Sequence, residues 1–159
     1  MDQIIAPVIT VDQVDVGPLH GNLGFLLRMA QLQVYEDFYA DLGEYGLKPG
    51  EFSVLTLIYK NPHIRQGVLA RRLMIKRAHM TKLIRVFEDR GHVSRTIPDE
   101  DRRAVELELT ADGLKFVETN WDRFYGHEKA QTPRLTPAEE KQMLGLLRKF
   151  VDLEQGDAQ

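Results

Sequence analysis

The segment from Met80 to Gly91 constrains this chain most. Met80, Leu83, Ile84 and Phe87 stand at i, i+3, i+4 and i+7, which at about 100° per residue makes one narrow apolar stripe on a helix. The opposite side holds Ala78, Lys82, Arg85 and Asp89, flanked by His79 and Thr81, with Arg77 in the first turn. Gly91 follows where a left-handed cap is expected. A helix from about Arg77 to Arg90 therefore buries one side in a domain and offers cations on the other. Two strand candidates come next, about His92–Thr96 and Ala104–Leu109. The second alternates Val105, Leu107 and Leu109 with Glu106 and Glu108, the period of a half-buried strand. The charged loop IPDEDRR between them makes a hairpin with a polar tip.

The flanking segments read as helices. Pro7, Gly17 and Pro18 punctuate an extended arm over residues 1–18. A helix from about His20 to Leu42 places Leu23, Leu26, Leu27, Ala30, Val34 and Phe38 on one side and ends at Gly43 and Gly46. A second runs from Pro49 to about Tyr59, burying Phe52, Leu55 and Ile58 or Tyr59, and stops at Asn61-Pro62. A short third, about Arg65 to Leu73, points Val68, Leu69 and Leu73 inward. Thr110 caps a long helix to about His127, with Leu114, Val117, Trp121 and Phe124 on one side. After a connection over 131–135, Thr136 and Glu139 read as a capping box opening the last helix, to about Leu153, with Met143, Leu147, Phe150 and Val151 apolar. The tail 154–159 is expected to fray.

Two helices joined by a tight turn and followed by a charged hairpin give the element order of a winged helix-turn-helix. The fold class is mainly α with a small β-hairpin. The expected divisions are the arm (1–18), a dimerisation helix (19–48), the winged DNA-binding lobe (49–110), and dimerisation helices with a tail (111–159). The terminal helices exceed what a small lobe needs for cover, and a second copy would supply partners for their apolar sides.

Charge is segregated. Of 21 Lys+Arg and 24 Asp+Glu, 12 and 5 lie between Lys60 and Arg103, a local net of +7; the remaining 9 and 19 leave -10. A basic middle between acidic ends produces a local field that the total of -3 conceals. The second helix of such a lobe fits the major groove. Arginine can take guanine O6 and N7 with two bonds, while lysine and threonine more often hold phosphate. Arg77, His79, Thr81, Lys82 and Arg85 are the candidates. On the wing, Asp101 is placed to hold the backbone or guanidinium of Arg103, so that Arg103 projects toward a narrow minor groove.

Gln66, Leu69-Ala70, Leu73, Ile75, the Leu83…Glu88…Gly91 helix end, Val93, Arg95, Asp101-x-Arg103-Ala104 and Leu109-Thr110…Gly113 form a pattern that resembles the MarR family of bacterial transcription regulators. The likeness extends over about residues 20–151. It implies an obligate homodimer with interlocked terminal helices, a pseudo-palindromic operator, usually repression, and release by a small ligand, often an aromatic acid or related phenolic. The predicted DNA face is Arg65, Lys76, Arg77, His79, Thr81, Lys82, Arg85, Arg95, Asp101 and Arg103. Three positions depart from the family pattern. Lys76 and Lys48 stand where Ser, Thr or Asp often caps a helix, and His79 replaces a small polar residue; the last bears on base preference.

The resemblance also implies a ligand crevice between the dimerisation helices and the lobe. His20, Phe25, Arg28, Tyr35 and Phe52 are candidates to line it. Arg28 is the only Lys or Arg before Lys48, and a buried arginine takes a carboxylate bidentately while aromatic rings sandwich a ring. An aromatic acid or its coenzyme A thioester is the expected effector. The alternative for Phe25 and Phe52 is core packing, and for Arg28 an acid of the partner chain.

Other classes are disfavoured. Cysteine is absent, and there is no P-loop, G-x-G-x-x-G, G-x-S-x-G or H-E-x-x-H. Histidines 20, 63, 79, 92 and 127 have no metal-ligand spacing. Neither an enzyme nor a cofactor is expected. No apolar run reaches the ~18 residues of a membrane span, and the first residues carry acids without a basic residue, so a cytoplasmic protein is expected. A winged-helix module that binds protein rather than DNA is the rival reading. It leaves Arg77, Lys82, Arg85 and Arg103 without a purpose.

Overall fold

The computed structural model describes residues 10–42, 48–125 and 134–153, apart from the side chains of 37, 38, 40–42 and 49. Residues 1–9 of the expected arm, Gly43 and Gly46, His127, most of the 131–135 connection, the tail and the Phe38 side chain lie outside that description. The described part of the arm is not simply extended. It forms two single turns of 3₁₀ helix, Val11–Gln13 and Gly17–Gly21. Gln13 Oε1 accepts from Thr10 N at 3.1 Å and Asp15 Oδ1 from Gly17 N at 2.8 Å, local side-chain bonds that turn the chain.

Among the described residues six α-helices and three strands follow: α1 Leu23–Leu42, α2 Pro49–Lys60, β1 Ile64–Arg65, α3 Gln66–Arg72, α4 Arg77–Asp89, β2 Val93–Thr96, β3 Glu106–Leu109, α5 Ala111–Tyr125 and α6 Pro137–Phe150. The predicted hairpin is β2 and β3, with Val93 opposite Leu109 and Arg95 opposite Leu107. The sheet has a third strand that the sequence did not announce. Antiparallel β1 pairs Ile64 with Leu107 and Arg65 with Glu106, giving the order β1-β3-β2.

The core lies in the lobe. All four stripe residues of α4 are buried, packed with Phe52, Leu55 and Ile58 of α2, Leu69 and Ala70 of α3, Val93, Leu107, and Val117 of α5. Val54 is also fully buried, and Tyr59 only partly. Val68 departs from expectation: it is exposed, while Ala70 takes the inward place. In so short a helix the Leu69–Ala70 pair fills the contact, leaving Val68 on the cleft side. Leu114 is likewise exposed, and α5 buries Gly113, Val117 and Asn120.

Helix ends obey local chemistry. Gly91 has φ of 72°, with His92 N donating to Phe87 O and Gly91 N to Glu88 O, both at 2.8 Å. This is the paired bonding of a Schellman cap. The same pattern ends α3, where Ile75 N reaches Ala70 O at 2.9 Å, but its left-handed residue is Met74. The Thr136 capping box is present: Glu139 accepts from Thr136 N at 2.8 Å and Thr136 Oγ1 from Glu139 N at 3.3 Å. The hydrogen bonds from Thr136 hold the Glu139 carboxyl below its ordinary pKa.

The terminal helices lack cover within one chain. Leu23, Leu26, Met29, Leu32 and Val34 of α1 are exposed, on more than the one side expected. Leu144, Leu146 and Phe150 of α6 and the following Val151 are exposed too, Phe150 at 62%.

Candidate nucleic-acid interface

The site is built on α3, α4 and the wing. Gln66 N donates to Val105 O at 2.8 Å, tying the start of α3 to the base of the wing. Gln66 Nε2 donates to Thr81 Oγ1 at 3.0 Å, and that hydroxyl donates to Arg77 O at 3.0 Å. Thr81 thus serves as a bridge from α3 to α4. These ties leave a cleft of about 380 Å³ between α3, the first turns of α4 and the wing. Arg65, Arg71, Arg77 and Arg103 line it, with Asp101 the one acid among its lining residues. Gln66 Oε1 is buried at its edge without a hydrogen-bond partner.

The predicted cations divide into two groups. Arg95 Nε meets Glu88 Oε1 at 2.7 Å, so it clamps β2 to α4. Arg65 meets Asp101 at 3.3 Å and Glu106 at 4.0 Å. Lys76, Arg77, Lys82, Arg85 and Arg103 are exposed and, among the described residues, have no carboxylate within 4.0 Å. His79 is exposed beside them. Arg77 from α4 and Arg103 from the wing reach the same cleft. Asp101 Oδ1 accepts from the Arg103 backbone N–H at 3.2 Å, one of the two roles expected for it; its other oxygen faces Arg65, not the Arg103 guanidinium.

Lys76 and Lys48 supply no side-chain cap, as their chemistry requires. At α2 the Glu51 carboxylate compensates by accepting from Lys48 N at 3.0 Å. At α4, among the described residues, no side chain caps the first turn, where His79 N donates to Lys76 O at 2.9 Å; with Lys76 and Arg77 beside it, this end suits an anion.

The expected ligand residues are dispersed. His20 is exposed in the second 3₁₀ turn, its Nδ1 3.1 Å from Gly17 O. Arg28 is exposed on α1, and Phe25 and Tyr35 are partly buried there. Gln31 Nε2 donates to Tyr35 Oη at 3.0 Å. Phe52 needs correction: it is 1% exposed and stacked on Phe124, a core residue with no open face. Sequence reasoning missed an aromatic group beside it. Tyr59, Trp121 and Tyr125 join α2 to α5, with ring centroids 5.6 Å (Tyr59–Trp121) and 4.9 Å (Trp121–Tyr125) apart. Tyr125 Oη lies 2.9 Å from Thr56 Oγ1, and Lys60 Nζ sits 4.9 Å from the Trp121 ring. The i, i+4 spacing of Trp121 and Tyr125 was the available signal.

A sequence model of the MarR family matches residues 47–105. A putative transcriptional regulatory protein for the hcr operon of Thauera aromatica is 28% identical over 135 residues, 84% of this chain and 81% of that one. The structure of the transcriptional repressor CouR bound to a 23-mer DNA duplex is 31% identical, with a TM-score of 0.77 over 87% of this chain and 98% of that one. A mutant MarR from E. coli complexed with operator DNA, 22% identical, shares the fold at a TM-score of 0.72 over 86% and 99% of the two chains. No helix among the described residues is long and apolar enough to cross a membrane.

Proposed function

We propose, from the premise that the chain belongs to the MarR family of DNA-binding transcription regulators, that it is a homodimeric repressor which holds a pseudo-palindromic operator and lets it go on binding a small effector. The observation that carries the reading is the cluster of exposed cations on α4 and the wing that have no acidic partner among the described residues. Arg77, His79 and Arg85 take the major groove, Lys76 and Lys82 take phosphate with the uncapped first turn of α4, and Arg103 takes the minor groove. Arg65, Thr81, Arg95 and Asp101 hold these groups in place.

The uncovered apolar residues of α1 and α6 support the dimer. Its two-fold axis sets the recognition helices about one DNA turn apart, roughly 10–10.5 base pairs. Selection of duplexes from a random pool should return an inverted repeat with that spacing. Recovery of single half-sites, or sedimentation as a monomer at working concentration, would count against it.

For the effector we propose an aromatic carboxylic acid or its coenzyme A thioester, received between the terminal helices and the lobe. Arg28, the lone early arginine, is the proposed carboxylate partner; Phe25 and Tyr35 share its helix, and His20 and the Tyr59–Trp121–Tyr125 group are candidates to line the ring. The effector works only through unequal affinity for the DNA-competent and incompetent states. Trp121 is the only tryptophan, so quenching of its fluorescence by a benzoate-class series reports binding. Undiminished release of DNA in the Arg28→Ala variant would remove Arg28 from the site. The cell compartment that suits such a regulator is the cytoplasm.

A further inference from the structure

We propose that Arg65 is a positioning residue: it acts on DNA through Asp101 and Arg103 and does not contact DNA itself. The proposal rests on the reading of α4 and the wing as a DNA interface. Strand β1 is two residues long, and its register places Arg65 opposite Glu106, at the loop end of the β2–β3 hairpin. From there its guanidinium reaches Asp101 Oδ2 at 3.3 Å and Glu106 Oε1 at 4.0 Å. Asp101 is the pivot of the wing tip. Its N–H donates to Pro98 O at 3.2 Å and its C=O accepts from Ala104 N at 2.9 Å, so its backbone closes two successive turns. Its Oδ1 accepts from Arg103 N at 3.2 Å. One carboxylate therefore fixes the backbone that carries Arg103 and anchors it to the sheet edge through Arg65.

Two physical points favour this role. First, Arg65 faces two carboxylates, so its charge toward a phosphate is largely cancelled, whereas Arg103 has none within 4.0 Å among the described residues. Second, both members of the pair are substantially exposed, at 51% for Arg65 and 40% for Asp101. Exposed pairs contribute little to folding, so its value lies in fixing geometry.

The test is a double-mutant cycle on the full-length protein, with fluorescence anisotropy on a duplex that the wild type selects from a random pool. Arg103→Gln should weaken binding roughly tenfold. Arg65→Gln should weaken it several-fold without moving the melting temperature. The double variant should bind within about twofold of Arg103→Gln alone, because the strut has nothing left to position. Losses that multiply would overturn the proposal and make Arg65 a direct contact. Asp101→Asn separates the accounts by sign. Simple repulsion from phosphate predicts tighter binding once the acid is gone, whereas the strut predicts looser binding of the same order as Arg65→Gln; a gain would overturn it. Lys82→Gln is the control on the underlying reading. Its loss should multiply with that of Arg65→Gln, and if neither Lys82→Gln nor Arg103→Gln weakens binding, the DNA interface itself is wrong.

Discussion

Replacing Gly113 by alanine sets two effects of opposite sign against each other. In an open helix the change gains up to about 1 kcal/mol, because alanine is the better helix former. Gly113 is in the first turn of α5 and its surroundings are not open. A Cβ there would overlap the His92 carbonyl oxygen, 2.8 Å from the carbonyl carbon and 3.1 Å from Cα. These are backbone atoms with no rotamer to yield. They are held by the α4 cap, through His92 N to Phe87 O at 2.8 Å, and by Thr110 N donating to His92 O at 3.1 Å. The Thr110 hydroxyl donates to Gly91 O and accepts from Gly113 N, so α5 begins clamped to the end of α4. Relief requires lifting α5 away. Overpacking of this kind costs about 1–3 kcal/mol, and each hydrogen bond broken about 1 more. The expected net loss is about 2 kcal/mol after the propensity gain. Urea unfolding followed by Trp121 fluorescence, at one fixed protein concentration because a dimer makes stability concentration-dependent, should show the midpoint falling by about 1 M at unchanged slope. A midpoint at or above wild type would refute the claim that this glycine exists for close approach.

Three further outcomes follow from the same structure. His92 is partly buried, its ring stacked on Phe116 at 4.7 Å and its Nδ1 without a partner; desolvation, then the nearby Arg90, lower its pKa from 6.5 against an opposing pull from Asp112. The unfolded chain then binds the proton more readily, so stability is full above 6.5 and declines as pH falls through the ordinary value toward the lowered one. Melting temperatures across that window should show the decline, and His92→Gln should flatten it; an equal slope in the variant would clear His92. Met74 holds φ of 52° with 90% of its surface exposed, so Met74→Gly should stabilise by up to about 1 kcal/mol, strain relief exceeding the chain entropy of glycine; calorimetry showing a loss would mean that Met74 packs on something. Ile84→Ala, at a fully buried position, should cost about 2–5 kcal/mol and abolish DNA binding with folding; a folded variant that fails to bind would assign Ile84 a different role.

Much of the architecture was readable because it is periodic. The spacing of Met80, Leu83, Ile84 and Phe87 marked the buried side of α4, and with it the direction of Lys82 and Arg85. Gly91, and Thr136 with Glu139, announced helix ends through chemistry that only a few residue types provide. Strand β1 escaped because two residues carry no period; it exists only because β3 offers a free edge. The division of the cations escaped for a related reason. Arg65 and Asp101 are far apart in sequence, and nothing local says that a fold will bring them to 3.3 Å. Aromatic residues misled in both directions: Phe52 looks like a ligand wall and is core, while Trp121 and Tyr125 look like one helix face and join two helices.

The central claim is that unpaired cations on α4 and the wing grip duplex DNA by displacing its counterions. The direct measurement is the DNA association constant across a salt series for the wild type and for Lys82→Gln. The expected result is a straight log–log plot whose slope shrinks in the variant by roughly 0.9 for each phosphate no longer neutralised, about twice that for a dimer. An affinity indifferent to salt, or a slope untouched by the substitution, would contradict the account.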